Sequence, residues 1–324
     1  MEKKEKIRGR FAPSPSGRMH LGNLFAALLA WLDVRSQDGE MFLRMEDLDP
    51  DRCRPDYALL LADDLRWLGL DWDLGWQAGA GEFAQSCRIQ HYAQALRQLE
   101  EQGRIYPCYC NRKERLAASA PHQGDGAAIY TGKCRNLTPE EQSRWQQGRR
   151  PAWRIKVPPE EITFQDENFG ACTQNLQSDC GDFILRRSDG VFAYQLAVVV
   201  DDAQMGVNRV VRGSDLLFSA PQQIWLTEAL GYKAPSYGHT PLLTDSQGRR
   251  LSKRDKDLDV GLLRQHYTAE EIVGFLAFTA GLVEKPQKIT PQELIREFSW
   301  RKLGTENRTI QENALAQLIT HLRA

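Results

Sequence analysis

Two short segments, far apart in the chain, carry residue types suited to handling phosphate. Arg10 to Asn23 reads RFAPSPSGRMHLGN, and Arg249 to Asp255 reads RRLSKRD. In the first, a short strand runs into a turn shaped by Pro13, Pro15 and Gly17, and a helix opens with His20, Gly22 and Asn23. A helix N-terminus presents unpaired backbone N–H groups and a partial positive charge, which suit a phosphate. His20 can donate to a phosphate oxygen, and Gly22 leaves room for a ligand against the backbone. The second segment places Lys253 among other cations, where it can neutralise charge on a leaving pyrophosphate, with Ser252 as a loop-orienting hydroxyl. Each segment has a plain alternative, a proline-rich helix cap and a solvated basic turn. Together they predict an ATP site built from His20, Gly22, Asn23, Ser252 and Lys253, with His20 and Lys253 catalytic.

A second cluster is made of thiols. Cys108 and Cys110 form a C-x-C pair, and Cys134 follows Tyr130 at a short distance. Three thiolates suit a tetrahedral zinc ion that needs one more ligand. His122 is the ordinary choice by ligand type, and unligated buried cysteines are the alternative. Cys53, Cys87, Cys172 and Cys180 lack partner spacing and are expected to be free thiols.

The elements that must position these groups follow from periodicity. A strand over 7–12, a helix over 21–35 with Leu24, Leu28, Leu29 and Leu32 on one side, and a strand over 41–45 make a βαβ unit, hence a parallel sheet and an α/β fold. Helices are expected over 56–68 and 86–101. Residues 105–137 look irregular, and 154–164 and 183–186 read as strands of an inserted subdomain. Residues 192–203 are apolar and then acidic. A strand over 206–211, a helix over 220–230 and a strand over 239–244 lead into the basic segment, and the pattern is helical from Leu262.

Composition bounds the rest. With 324 residues, 41% hydrophobic, there is enough chain for two domains or one with insertions. The formal net charge of -1 means that any RNA contact must use a local basic patch. MEKKEKIRGR is basic but lacks the apolar core of a signal peptide, and no apolar run approaches the roughly 18 residues that span a bilayer. Seven cysteines without secretory context predict a cytoplasmic, reduced protein.

PSPSGRMHLGN and RLSKRD resemble the HIGH and KMSKS motifs of class I aminoacyl-tRNA synthetases. GRFAPSPSG, RMEDLDPDR, FAYQLAVVVDD, VVRGSDL and LSKRD, in this order, resemble the glutamyl branch. Asn23 stands where the first motif's name has its second His. The resemblance implies a Rossmann-like class I catalytic domain in two halves, 1–104 and 191–261. It also implies an inserted acceptor and zinc subdomain over 105–190, and a short helical C-terminal region over 262–324. It implies ATP with Mg2+, L-glutamate and tRNA as partners, with no membrane, and a monomer is expected. Glutamate needs guanidinium groups for its carboxylates and an acid for its ammonium. Arg10 and Arg212 are the candidate cations, Glu46 the acid and Tyr194 a rigid hydroxyl, with Phe11, Ala12, Pro13 and Ser14 at the floor. These positions match the branch's glutamate-binding residues. The plain alternative is structural pairing of Arg10 with Glu46 or of Arg212 with Asp215.

IYTGKC and the C-x-C pair resemble one subfamily of this branch, in which zinc is held by three Cys and a Tyr oxygen. By that resemblance the ligands are Cys108, Cys110, Tyr130 and Cys134, with His122 the competitor. That subfamily attaches glutamate to queuosine in the anticodon of tRNA(Asp). Full-length glutamyl synthetases continue into a long anticodon-binding region beyond the basic segment, whereas roughly seventy residues follow it here. The leading expectation is therefore tRNA-independent glutamate activation and transfer to queuosine. A compact enzyme charging the tRNA 3′ end and a non-enzymatic binder of ATP or glutamate are the alternatives. Arg149, Arg150, Arg186 and Arg187 are candidate RNA-backbone contacts, with solvated charge as their alternative.

Overall fold

The computed structural model describes residues 5–78, 81–110, 129–130, 132–251 and 259–310. The expected βαβ unit is present: β1 (Arg8–Phe11), the helix Leu21–Arg35 and β2 (Glu40–Leu43), with β1 and β2 parallel. His20 caps the helix, and the helix ends at Ser36, close to Gly39. Gly9 lets helix and strand approach, because a Cβ there would lie 2.2 Å from Val34. Leu24, Leu28, Leu29 and Leu32 are all fully buried.

β3 (Leu74–Gly75) extends the sheet beyond β2, and β4 (Ile105–Cys108) belongs elsewhere. The helices over 56–68 and 86–101 are found as Pro55–Trp67 and Ile89–Glu101, the second preceded by a 3-10 turn, Gln85–Cys87. The stretch 154–164, expected as one strand of the insert, is instead two strands in two sheets. β5 (Ala152–Ile155) ends before Pro158 and Pro159, which have no backbone N–H to give a ladder. β6 (Glu161–Asp166) then pairs antiparallel with β7 (Gly170–Asn175) and parallel with a later strand of the main sheet. β4, β5 and β8 (Ile184–Arg186) form a separate antiparallel sheet.

The apolar-then-acidic run is the helix Tyr194–Gln204, and β9 (Arg209–Gly213) follows it. Past the helix Ala220–Ala229, Pro241 divides the expected 239–244 strand into β10 (Ser236–Thr240) and β11 (Leu243–Thr244). The main sheet has seven strands in the order β3-β2-β1-β9-β10-β6-β7, parallel except for the β6–β7 hairpin. β11 pairs with β12 (Arg308–Thr309). The helices Val260–His266 and Ala269–Ala280 pack Leu263, Ile272, Phe275 and Leu276 into the same core as the helix Leu21–Arg35.

Candidate active site at the crossover of the sheet

From β1 the sheet grows through β2 and β3 to one side, and from β9 through β10 to the other. Helices following strands on opposite sides leave a crevice at such a point, beyond the carboxyl ends of the strands. A cavity of about 720 Å³ lies there. It is lined by Arg10, Phe11, Ala12, Pro13 and Ser14 from the end of β1, and by His20, Gly22 and Asn23 from the first helix. Glu46 after β2, Tyr194 at its helix start and Arg212 on β9 complete the predicted set. Every predicted glutamate and ATP residue that the structure describes thus meets in one place. Ser252 and Lys253 lie outside the described residues, as does His122. Arg250 and Leu251, within the basic segment, line the cavity, and Asp259, just after it, bridges to His20.

The helix N-terminus has a defined hydrogen-bond arrangement. His20 Nδ1 accepts the Gly22 N–H at 3.2 Å, so in the neutral ring Nε2 carries the proton and is the donor. Asn23 Oδ1 accepts the His20 N–H at 3.1 Å, closing a capping box. The space left by Gly22 is taken by the His20 ring, since a Cβ would sit 3.0 Å from it.

Beneath the floor lies a buried charge network. Arg10 donates from Nε to both Asp202 oxygens at 3.3 and 3.4 Å, and from NH1 to the Val211 carbonyl at 3.3 Å. Arg44, fully buried, donates to Asp202 at 2.6 Å and to Glu46 at 3.3 Å, and lies 3.7 Å from Asp201. Asp201 in turn accepts from Arg88, Gln85 and Tyr92. Burial pushes the Glu46 carboxyl above its ordinary range, and Arg44 and Arg10 draw it back only in part. Burial opposes the Asp202 charge too, but Arg44 and Arg10 outweigh it and hold that carboxyl low. The pairing of Arg10 with Glu46 weighed from the sequence is therefore replaced by Arg10–Asp202 and Arg44–Glu46.

Arg212 differs from Arg10 and Arg44. Only 6% exposed, it donates to His239 Nε2 at 3.1 Å, Gln223 Oε1 at 2.7 Å, the Tyr194 hydroxyl at 3.4 Å and the Leu216 carbonyl at 3.1 Å. No carboxylate pairs with it among the described residues, and Asp215 is taken by Arg250. A buried guanidinium held by neutral acceptors is a site for an incoming anion. Burial also pushes the Tyr194 phenol up, so its hydroxyl stays protonated.

The thiol cluster lies in and beside the small antiparallel sheet. Cys108, Cys110 and Cys134 are buried, with sulfurs within 4.8 Å of one another. Cys110 and Cys134 sulfurs are 3.7 Å apart, and the Tyr130 oxygen is 3.6 Å from Cys108 and 3.8 Å from Cys110. A tetrahedral ion with metal–sulfur bonds of about 2.3 Å needs sulfurs about 3.8 Å apart, so the donor set fits a soft divalent metal. Burial works against the Cys108 thiolate, but the Cys110 N–H and the Arg154 guanidinium, 3.3 Å from its sulfur, hold it below the ordinary thiol range. Burial pushes Cys110 up to about 12.

The four arginines considered for RNA do not form one group. Arg149 stacks on Trp145, Arg186 bonds the Gly190 carbonyl and Arg187 pairs with Asp189, while Arg150 is exposed. Sequence reasoning missed Arg44, Asp201, Asp202, Gln223, His239 and Asp166. The one available signal was Asp201-Asp202, two acids ending an apolar helical run. Arg52, which also lines the cavity, had no role assigned.

Comparisons with known proteins agree with this fold. The family "tRNA synthetases class I (E and Q), catalytic domain" matches residues 6–317. A glutamyl-Q tRNA(Asp) synthetase of Nitratidesulfovibrio vulgaris is 51% identical over 304 residues, covering 92% of this chain and 94% of its own. One from Symbiobacterium thermophilum is 48% identical over 318 residues, covering 96% and 98%. The crystal structure of a glutamate tRNA ligase from Elizabethkingia meningosepticum, in complex with its amino acid, superposes with a TM-score of 0.80 at 25% identity. It covers 97% of this chain and 69% of that one. Glutamate-tRNA synthetase from Elizabethkingia anophelis superposes with a TM-score of 0.82 at 25% identity, covering 98% and 70%.

Proposed function

Because the chain belongs to the class I tRNA synthetase family (E and Q), together with the glutamyl-Q tRNA(Asp) synthetases, and is an enzyme of the ligase type, we propose that it activates L-glutamate with ATP without tRNA and transfers the glutamyl group to queuosine in the anticodon of tRNA(Asp). The observation that carries the glutamate half is Arg212, a buried cation with no carboxylate partner among the described residues, facing the same cavity as Glu46. The acceptor half rests on the relatives' names.

In this reading the side-chain carboxylate of glutamate meets Arg212 and Tyr194, and its ammonium meets Glu46. Arg10 sits beside the α-carboxylate. That carboxylate attacks the α-phosphorus of ATP, the bond to the bridging oxygen breaks, and pyrophosphate leaves. His20 Nε2–H and the helix N–H groups stabilise the growing negative charge. Ser252 and Lys253 complete this role on the basic segment, and Mg2+ accompanies ATP. A queuosine ring hydroxyl then attacks the glutamyl carbonyl, AMP leaves, and its phosphate accepts the proton. Zinc on Cys108, Cys110, Tyr130 and Cys134 ties together an insert with little core of its own. That insert is part of 105–190, between catalytic halves 1–104 and 191–261, with 262–324 as the helical region. A cytoplasmic location fits a tRNA substrate.

The test uses labelled glutamate and tRNA(Asp) lacking its 3′-terminal adenosine. Label retained on queuosine-containing tRNA, and absent from tRNA with guanosine at that position, is expected. Transfer that requires the 3′ adenosine overturns the acceptor assignment. Pyrophosphate exchange that requires tRNA overturns the activation step as proposed.

A further inference from the structure

Behind Arg212 lies a second pair of side chains. His239, fully buried on β10, offers Nε2 to the Arg212 Nε–H at 3.1 Å, and its Nδ1 lies 2.6 Å from Asp166 Oδ2 at the end of β6. Guanidinium can only donate, so Nε2 must be the acceptor and the imidazole proton must sit on Nδ1, facing the carboxylate. Asp166 is itself fixed. Its Oδ1 accepts the backbone N–H groups of Asn168 and Phe169, both at 3.0 Å, and of His239 at 3.3 Å. The Tyr237 ring stacks on the imidazole at 6.0 Å, and Arg212 lies over the same ring at 5.3 Å.

We propose that Asp166 and His239 are positioning residues that orient Arg212 for a carboxylate ligand, with the imidazole placed between acid and guanidinium as a hydrogen-bond acceptor. An acid in direct contact with Arg212 would orient it equally well, but would neutralise it and compete with the ligand. The intervening ring passes on the orientation and keeps the anion one side chain away. Burial drives the His239 pKa down to about 4, with the Arg212 charge adding to the effect, which keeps the ring neutral. The identity of the ligand rests on the glutamate reading above, whereas the orientation of Arg212 does not.

Asp166→Asn tests this sharply. Because Oδ1 must go on accepting three backbone N–H groups, the new amide nitrogen is forced into the Oδ2 position and donates to His239 Nδ1. The ring proton then moves to Nε2 and opposes the Arg212 Nε–H, donor against donor. Two readouts follow. The 15N spectrum of histidine-labelled protein, with His239 assigned by its loss in His239→Gln, is expected to show the Nδ1–H tautomer in the wild type and the Nε2–H tautomer in Asp166→Asn. In tRNA-free pyrophosphate exchange, Asp166→Asn and His239→Phe are expected to raise the KM for glutamate about tenfold or more, with the KM for ATP within about twofold. His239→Gln, whose amide oxygen can accept the Arg212 Nε–H, is expected to recover most of that loss. A wild-type ring protonated on Nε2, or an Asp166→Asn protein with unchanged KM for glutamate, overturns the proposal. Wild-type protein with the Nδ1–H tautomer but no glutamate exchange overturns the glutamate reading and supports the orientation.

Discussion

Replacing Asp202 with Asn removes one negative charge from between two buried cations and leaves the shape unchanged. Arg44, with no exposed side-chain surface, keeps only a neutral amide oxygen where it had a carboxylate at 2.6 Å, and Arg10 keeps that oxygen at 3.3 Å but loses the charged acceptor at 3.4 Å. Removing one partner of a buried ion pair costs about 3–5 kcal/mol, because the other is left desolvated and uncompensated. Arg44 keeps Glu46 at 3.3 Å and Asp201 at 3.7 Å, which places the expected loss at the lower end, about 3 kcal/mol. With a urea m-value of about 3 kcal/mol/M, the midpoint falls by about 1 M. The Glu46 carboxyl is expected to titrate lower, because the repulsion from Asp202 is gone. Urea unfolding followed by tryptophan fluorescence measures the first effect. A companion Arg44→Met and the double variant complete a cycle, in which the double loses at least about 1 kcal/mol less than the sum of the singles. A midpoint shift under about 0.3 M at unchanged m would mean that the network is not a source of stability, and the burial argument would be refuted.

Cys108→Ser is expected to abolish stoichiometric metal in the purified protein while leaving the main-sheet circular dichroism intact; one tightly bound zinc per chain in the variant would sink the ligand assignment. His239 gives a pH signature: neutral in the fold with a pKa of about 4, against 6.5 unfolded, it binds fewer protons folded than unfolded between those values. Stability therefore rises with pH across that window and is lost as pH falls from 6.5 towards 4, by about 3 kcal/mol. His239→Gln removes this slope, and a wild-type denaturation midpoint flat across the window contradicts it.

Local features of the chain were legible from sequence because their causes are local. Helix 21–35 was readable to the residue, since leucine periodicity, a polar residue at its cap and a glycine beyond its end act within a few positions. The parallel arrangement of β1 and β2 followed from the helix between them. The pocket set of Arg10, Glu46, Tyr194 and Arg212 was reached through residue types that match the chemistry of glutamate and through the resemblance. Pairing across the sheet was not legible. Nothing local separates 154–164 into strands of two sheets except a Pro-Pro step, and nothing marks β6 as a neighbour of β10.

Arg44 and Asp202 lie 158 residues apart, Arg10 and Asp202 192 apart, and Asp166 and His239 73 apart. Their roles exist only after strands far apart in sequence have been brought side by side. Which groups could do the chemistry is readable from the order of residues, because side-chain type and the nearest turn decide charge, donors and acceptors. Which of those groups pair with one another depends on the packing of distant strands and helices. Burial makes an unpaired charge costly, so the fold neutralises Arg10 and Arg44 from within and leaves Arg212 on neutral acceptors, open to a carboxylate.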